Sequence, residues 1–229
     1  MRKLVLGTAI SALVTVLASN QVQAVTFTQN GNTGETLSTA QVIPSGSLPL
    51  DSISGTISET TPGADLFQIY LTGGKTFSAT TATNSGTLAD PELFLFDSSG
   101  KGVYANDDAS IDIEQAILPV GNFSPSNSGI YYLAISGSDY HPVSAEGNIF
   151  PDFPDVPFTG VRGPTGAGGS SPLTGFDGPR LNGGSYTITL TGVQTSAQAV
   201  PEPASMSGIL ALGALGTTAL LKNKKGKHT

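Results

Sequence analysis

Through the middle of this chain, apolar and polar residues alternate in short runs, each closed by Gly, Asp, Asn or Ser. A period of two places successive side chains on opposite sides of a strand. Residues 52–58 (SISGTIS) alternate Ile with small polar residues. Residues 65–71 (DLFQIYL) put Leu66, Gln68 and Tyr70 on one face. Phe67, Ile69 and Leu71 lie on the other, which is expected to be buried. Gly73-Gly74 supplies a tight turn before the strand-like stretch 75–83. Residues 92–96 (ELFLF) set Leu93 and Leu95 against Phe94 and Phe96; a turn at 97–100 and a short strand over 102–105 follow. Residues 130–136 (IYYLAIS) predict a central strand. Its Tyr131 and Tyr132 point to opposite sides, one into the core and the other outward. Residues 185–191 (SYTITLT) predict the last strand. Residues 111–118 read as a further strand, with one turn of helix stopped by Pro119 as the alternative. No amphipathic helix is predicted in the body. Roughly seven or eight short strands at this spacing predict an all-β, antiparallel β-sandwich.

One stretch breaks the alternation. Residues 138–184 form a long loop of Pro, Gly, Ser and Asp, including GPTGAGGSSP at 163–172. Loops of this length inside a domain are functional or disordered. The glycines invite a phosphate-loop reading, but no Gly-Lys-Ser/Thr follows them. Phe150, Phe153, Phe158 and Phe176 are expected to pin the loop to the domain in places.

Both ends depart from this pattern by being continuously apolar. Met1-Arg2-Lys3, an apolar run over 4–18 and the small-residue site Val22-Gln23-Ala24 predict a signal peptide over 1–24, cut between Ala24 and Val25. At the other end, VPEPAS (200–205) precedes an apolar stretch of 16 residues (206–221) and the basic KNKKGK (222–227). As a helix that stretch spans about 24 Å, short of the ~20 residues a comfortable membrane span needs. The lysines favour a cytoplasmic end. Pro201-Glu202-Pro203 then sits at the outer face, extended and accessible.

The three-part tail over 200–229 resembles the PEP-CTERM sorting signal of Gram-negative bacteria. The resemblance implies an exported protein, inserted transiently in the membrane through this segment and cut by an exosortase near Pro201, Glu202 and Pro203. It also implies an address at the cell surface or in an exopolysaccharide matrix. The body that folds is then 25–192, with a linker over 193–199.

Removing the two ends changes the charge. The whole chain has 17 acidic and 10 basic residues. The body keeps all the acidic residues except Glu202, and its only basic residues are Lys75, Lys101, Arg162 and Arg180, giving a formal charge of −12. Such a surface repels nucleic-acid phosphates and anionic headgroups, so no nucleic-acid partner is expected. It would reach a polyanion only through a bridging cation. The chain has no cysteine, so disulfides and thiolate chemistry do not arise.

The body itself resembles the bacterial pre-peptidase C-terminal (PPC) domain. The residues that carry the likeness are GADLFQIYLTGGKTFSATT (63–81), DPELFLFDSSGKGVYANDD (90–108), GIYYLAISG (129–137) and SYTITLTG (185–192), in that order. The resemblance implies a jelly-roll-like sandwich and a non-catalytic accessory role.

Candidate chemistry centres on Asn106, Asp107 and Asp108, just after a predicted hairpin. Asp97 and Asp112 are close in sequence, and Asp65 and Asp90 are candidates to join them in space. Oxygen-only ligands favour calcium over transition metals. The alternative is that these carboxylates cap their own turns. The spacing is not that of an EF-hand. His141, the body's one histidine, is expected at the surface, and alone it cannot build a multi-His zinc site. No nucleophile elbow is present. A two-carboxylate glycosidase has no pair singled out for it. Tyr70, Tyr104, Tyr131, Tyr132, Tyr140 and Tyr186 offer either a sugar-binding face or strand-edge packing. The reading is an exported non-catalytic surface or matrix protein. The alternatives are a calcium-dependent carbohydrate- or protein-binding module and, behind it, a glycosidase.

Overall fold

The computed structural model describes residues 24–31, 33–43, 48–60, 62–82, 86–152 and 155–195. The expected signal peptide up to residue 23, Phe153, the linker from residue 196 and the tail with Pro201, Glu202 and Pro203 lie outside the described residues. Of the expected first cleavage site, exposed Ala24 and half-buried Val25 are described.

Among the described residues there is no helix. The strands, in chain order, are β1 (Val25–Thr28), β2 (Gln41–Val42), β3 (Leu50–Ile57), β4 (Ala64–Leu71), β5 (Ser78–Thr80), β6 (Pro91–Phe96) and β7 (Gly102–Asn106). They continue as β8 (Ile117–Leu118), β9 (Gly129–Gly137), β10 (His141–Ser144), β11 (Gly147–Asn148), β12 (Gly175–Asp177), β13 (Gly184–Thr191) and β14 (Val193–Gln194). One sheet runs β1-β3-β13-β5-β8; a second runs β14-β4-β9-β6-β7, with β2 also on β4; a small third runs β11-β10-β12.

Most ladders are antiparallel, as the hairpin spacing predicts, but two are not. β1 pairs parallel with β3, and β2 pairs parallel with β4. The chain goes from β1 in the first sheet to β2 in the second and back to β3 in the first. Such a crossover is what parallel neighbours require. The Val25 amide adds a hydrogen bond to the Pro49 carbonyl at 2.9 Å, seating β1 beside the start of β3.

The first core joins the two large sheets. Ile53, Ile57, Ile188 and Leu190 come from one, and Phe67, Ile69, Leu71, Leu93, Leu95, Leu133 and Ile135 from the other. Full burial of one such side chain contributes about 1.5–3 kcal/mol. The alternation in 65–71 and 92–96 is therefore explained on this side.

The second sheet is covered on its other face as well. Leu66, Phe94, Phe96 and Ala134 form a second core with Tyr140, Ile149, Phe150, Leu173 and Phe176. The last five all come from 138–184. The long loop is thus a folded lobe, built on the β10–β12 sheet. It explains why β6 is buried at every position, like strands packed on both faces. Phe150 and Phe176 both pack against Phe94, with ring centroids 5.7 and 6.0 Å away. The glycines of 163–172 serve backbone contact. A Cβ on Gly169 would collide with the Pro164 carbonyl oxygen, and one on Gly168 with that of Gly147.

Tyr131 and Tyr132 correct the expectation of one inside and one outside. Both are half-buried, Tyr131 against the first core and Tyr132 against the second. The reason is the lobe, which gives the outward tyrosine a second surface to pack on. The 111–118 stretch contains only the two-residue β8; before it, Ser110 and Ile113 close a turn.

Candidate functional site

Strand register gathers the acidic residues at one end of the second sheet. The β6–β7 ladder sets Leu93 opposite Asn106, so the start of β6 meets the end of β7. The β6–β9 ladder sets Pro91 opposite Gly137, bringing the end of β9 to the same place. Asp90 and Glu92, Asn106 to Asp108, and Asp139 and His141 therefore converge from three separate stretches. The lobe adds Asp152 and Arg162. The lobe is tied here through backbone bonds between Ala105 and Arg162, at 2.9 and 2.8 Å.

Of the three residues expected to bind calcium, Asn106 is otherwise engaged. Its Nδ2 donates to the carbonyls of Asp108 (2.9 Å) and Gly160 (2.8 Å), and its Oδ1 accepts from the Ile117 amide at 2.6 Å. At 1% exposure it is a buried tie between backbones. Asp107 and Asp108 are joined instead by Asp90: the three each offer a carboxylate oxygen, all within 4.8 Å of one another. Asp97 stays apart. Its Oδ1 caps its own turn, accepting from Ser99 N at 2.8 Å and Lys101 N at 3.0 Å. Asp65 also stays apart, accepting from Tyr186 Oη at 2.7 Å and Gln29 Nε2 at 2.9 Å. Asp112 lies exposed on the turn that closes at Ile113.

Behind the three carboxylates runs a buried charge network that sequence reasoning missed. Glu92 is 1% exposed. Its Oε1 meets His141 Nε2 at 3.0 Å and accepts from the Asp139 amide at 3.1 Å; its Oε2 accepts from Arg162 Nη2 at 3.3 Å. Arg162 Nη1 donates to the Pro151 carbonyl (3.2 Å) and Asp152 Oδ1 (3.4 Å). His141 is therefore not the surface residue expected. It lies between Glu92 and Asp152, whose Oδ2 is 3.3 Å from Nδ1. With both ring nitrogens facing carboxylates, the ring has none left to serve as a base. The available signal was scarcity, since Arg162 is one of four basic residues in the body and a buried carboxylate needs a cation.

The proton affinities follow from this placement. Burial, the charge of Glu92 and only partial relief from Arg162 push Asp107 up to about 8. Burial pushes Asp90 up to about 6 despite a hydrogen bond with Ser138. Asp108 is raised by burial and then by the charges of Glu114 and Glu92. For His141, burial lowers proton affinity, but the Glu92 hydrogen bond and the charges of Glu92 and Asp152 outweigh it, so the net shift is upward. The cleft has a volume of about 390 Å³, with Asp107, Asp108, Glu114 and Asp139 in its wall and Ile111 and Phe158 as apolar neighbours. Such a cleft attracts cations and excludes anions. None of the six tyrosines is exposed; Tyr104, Tyr140 and Tyr186 are buried and the other three half-buried. All but Tyr70 pack against one of the two cores, in line with the second of the two readings. No family model matches this chain, and no curated protein aligns with it.

Proposed function

We propose that this chain is an exported, non-catalytic module of the cell surface or extracellular matrix, built as a jelly-roll-like β-sandwich and processed by an exosortase. Support for the fold is the first core, to which both large sheets contribute. Support for the address is the order of Pro201-Glu202-Pro203, an apolar stretch and a lysine-rich end, together with the leader that closes at Ala24. The tail is the single observation that carries this reading. The strongly acidic body fits a matrix setting in which cations bridge it to acidic polysaccharide. Intact-mass spectrometry of the protein from its own cells and medium is the test. A mass beginning at Val25 and ending near Pro203 supports the reading. A mass retaining 206–229 removes its main support.

A second reading is a calcium-dependent carbohydrate- or protein-binding module. The observation that favours it is the convergence of Asp90, Asp107 and Asp108 at an open cleft. Its test is binding of sugar polymers to the chain with calcium and with chelator; equal binding in both sinks it.

A further inference from the structure

We infer that Asp90, Asp107 and Asp108 form a binding site for one hard divalent cation, taking calcium in preference to magnesium. Calcium binds carboxylate oxygens at about 2.3–2.6 Å, so two ligands on one ion lie at most about 5 Å apart. The three oxygens here lie within 4.8 Å of one another.

Proximity alone would not make a site; the second observation is that the Asp108 carboxylate and one oxygen of Asp90 lack partners. Asp108 is only 8% exposed, yet its carboxylate accepts no hydrogen bond and joins no salt bridge among the described residues. Asp90 Oδ1 is wholly buried and also has no partner. Buried polar oxygens left unsatisfied are costly and call for a donor or an ion. Arg162 does not fill this role. It is held by Glu92 and Asp152, and it reaches only Asp107, at 3.6 Å. Glu92, by contrast, has a donor or cation at each oxygen.

The chemistry selects the ion. An all-oxygen set suits hard cations, and magnesium demands shorter, nearly octahedral bonds that three carboxylates drawn from two loops do not impose. A neighbouring trio, Asp139, His141 and Asp152, has a mixed donor set. There His141 is already clasped between Glu92 and Asp152, so that trio is the poorer host. Backbone bonds of Asp108 to Phe158 and Gly160 couple the site to the lobe, so an ion here fastens the lobe to β6 and β7. This inference shares its premise with the calcium-dependent reading of function, but it concerns the ion alone.

The test is calorimetric titration of the full-length chain, purified in detergent and stripped with chelator, using calcium chloride and then magnesium chloride. Expected are one calcium per chain and at least tenfold weaker binding of magnesium. Asp108→Asn should weaken calcium binding at least tenfold, and Asp97→Asn, at a turn apart from the cleft, should leave it unchanged. Removing a crowded charge should also let chelated Asp108→Asn melt no lower than the chelated parent. If that variant does not fold, Asp90→Asn takes its place with the same expectations. No calcium heat at millimolar concentration, or parental affinity in the Asp108 or Asp90 variant, overturns the inference. Calcium binding with no sugar or protein ligand supports the site while removing the second functional reading.

Discussion

The two faces of the second sheet are buried by different means. One face meets another sheet, and its core is Leu, Ile and Phe at strict alternation. The other meets the 138–184 lobe, where scattered aromatics are set on irregular backbone. The first needs only period-two patterning on both partners. The second needs glycines at backbone contacts and a buried charge network to hold the lobe's edge. A regular core is therefore robust and anonymous, whereas the irregular one concentrates specific polar contacts, and the acidic cleft lies along its margin.

Four predictions sharpen the contrast. The largest effect is expected in the first core. Phe67→Ala should cost about 3–5 kcal/mol in chemical denaturation and lower the whole unfolding transition. Next is Glu92→Gln, which leaves Arg162 and His141 facing a neutral amide. Breaking a buried charge pair costs roughly 3 kcal/mol, and rescue by Glu92→Asp should be partial. Phe150→Ala should cost less, roughly 2 kcal/mol, because an irregular lobe relaxes around a cavity. Hydrogen exchange should then speed up in β10 and β11 while β4 and β9 stay protected. Uniform acceleration would mean that the two cores are one cooperative unit.

The last prediction concerns the direction of pH dependence. Asp65 is raised to about 7, Asp90 to about 6 and Asp107 to about 8, burial being the main cause in each. Their folded proton affinities exceed those of the unfolded chain, so the folded state holds more protons between the two values. Stability of the chelated protein, read as Tm, should therefore fall as pH rises from about 4 to about 8. Calcium should recover the part due to the cleft and not the part due to Asp65. Asp65→Asn should remove the remainder. A melting temperature flat across this range would contradict the burial of these groups.

What could be read in the sequence follows the same divide. β4, β6, β9 and β13 announced themselves because alternation is local and each was bounded by turn residues. The second face of β6 was visible as an unexplained row, Phe94 and Phe96, but its partners sat in a stretch with no period. The parallel placement of β1 and β2 left no local mark, since crossovers are decided by what the segment meets. At the site, Asp107 and Asp108 stood out as adjacent acids. Asn106 looked like a ligand because its amide has the right oxygen, and only the fold shows Ile117 using it. Glu92 and Arg162, 70 residues apart in sequence, gave no sign of meeting.

The bond from the Val25 amide to the Pro49 carbonyl would change character if the chain were cut after Ala24 as proposed. In the precursor it is an ordinary peptide N–H. Cutting after Ala24 would turn the same nitrogen into an α-ammonium, with a proton affinity near 7.7–8.0. The contact becomes charge-assisted and stronger, and a body of charge −12 gains a cation at its first strand. Removal of the leader would then do more than free the chain: it would tighten the seat of β1, and mildly alkaline conditions would loosen it again.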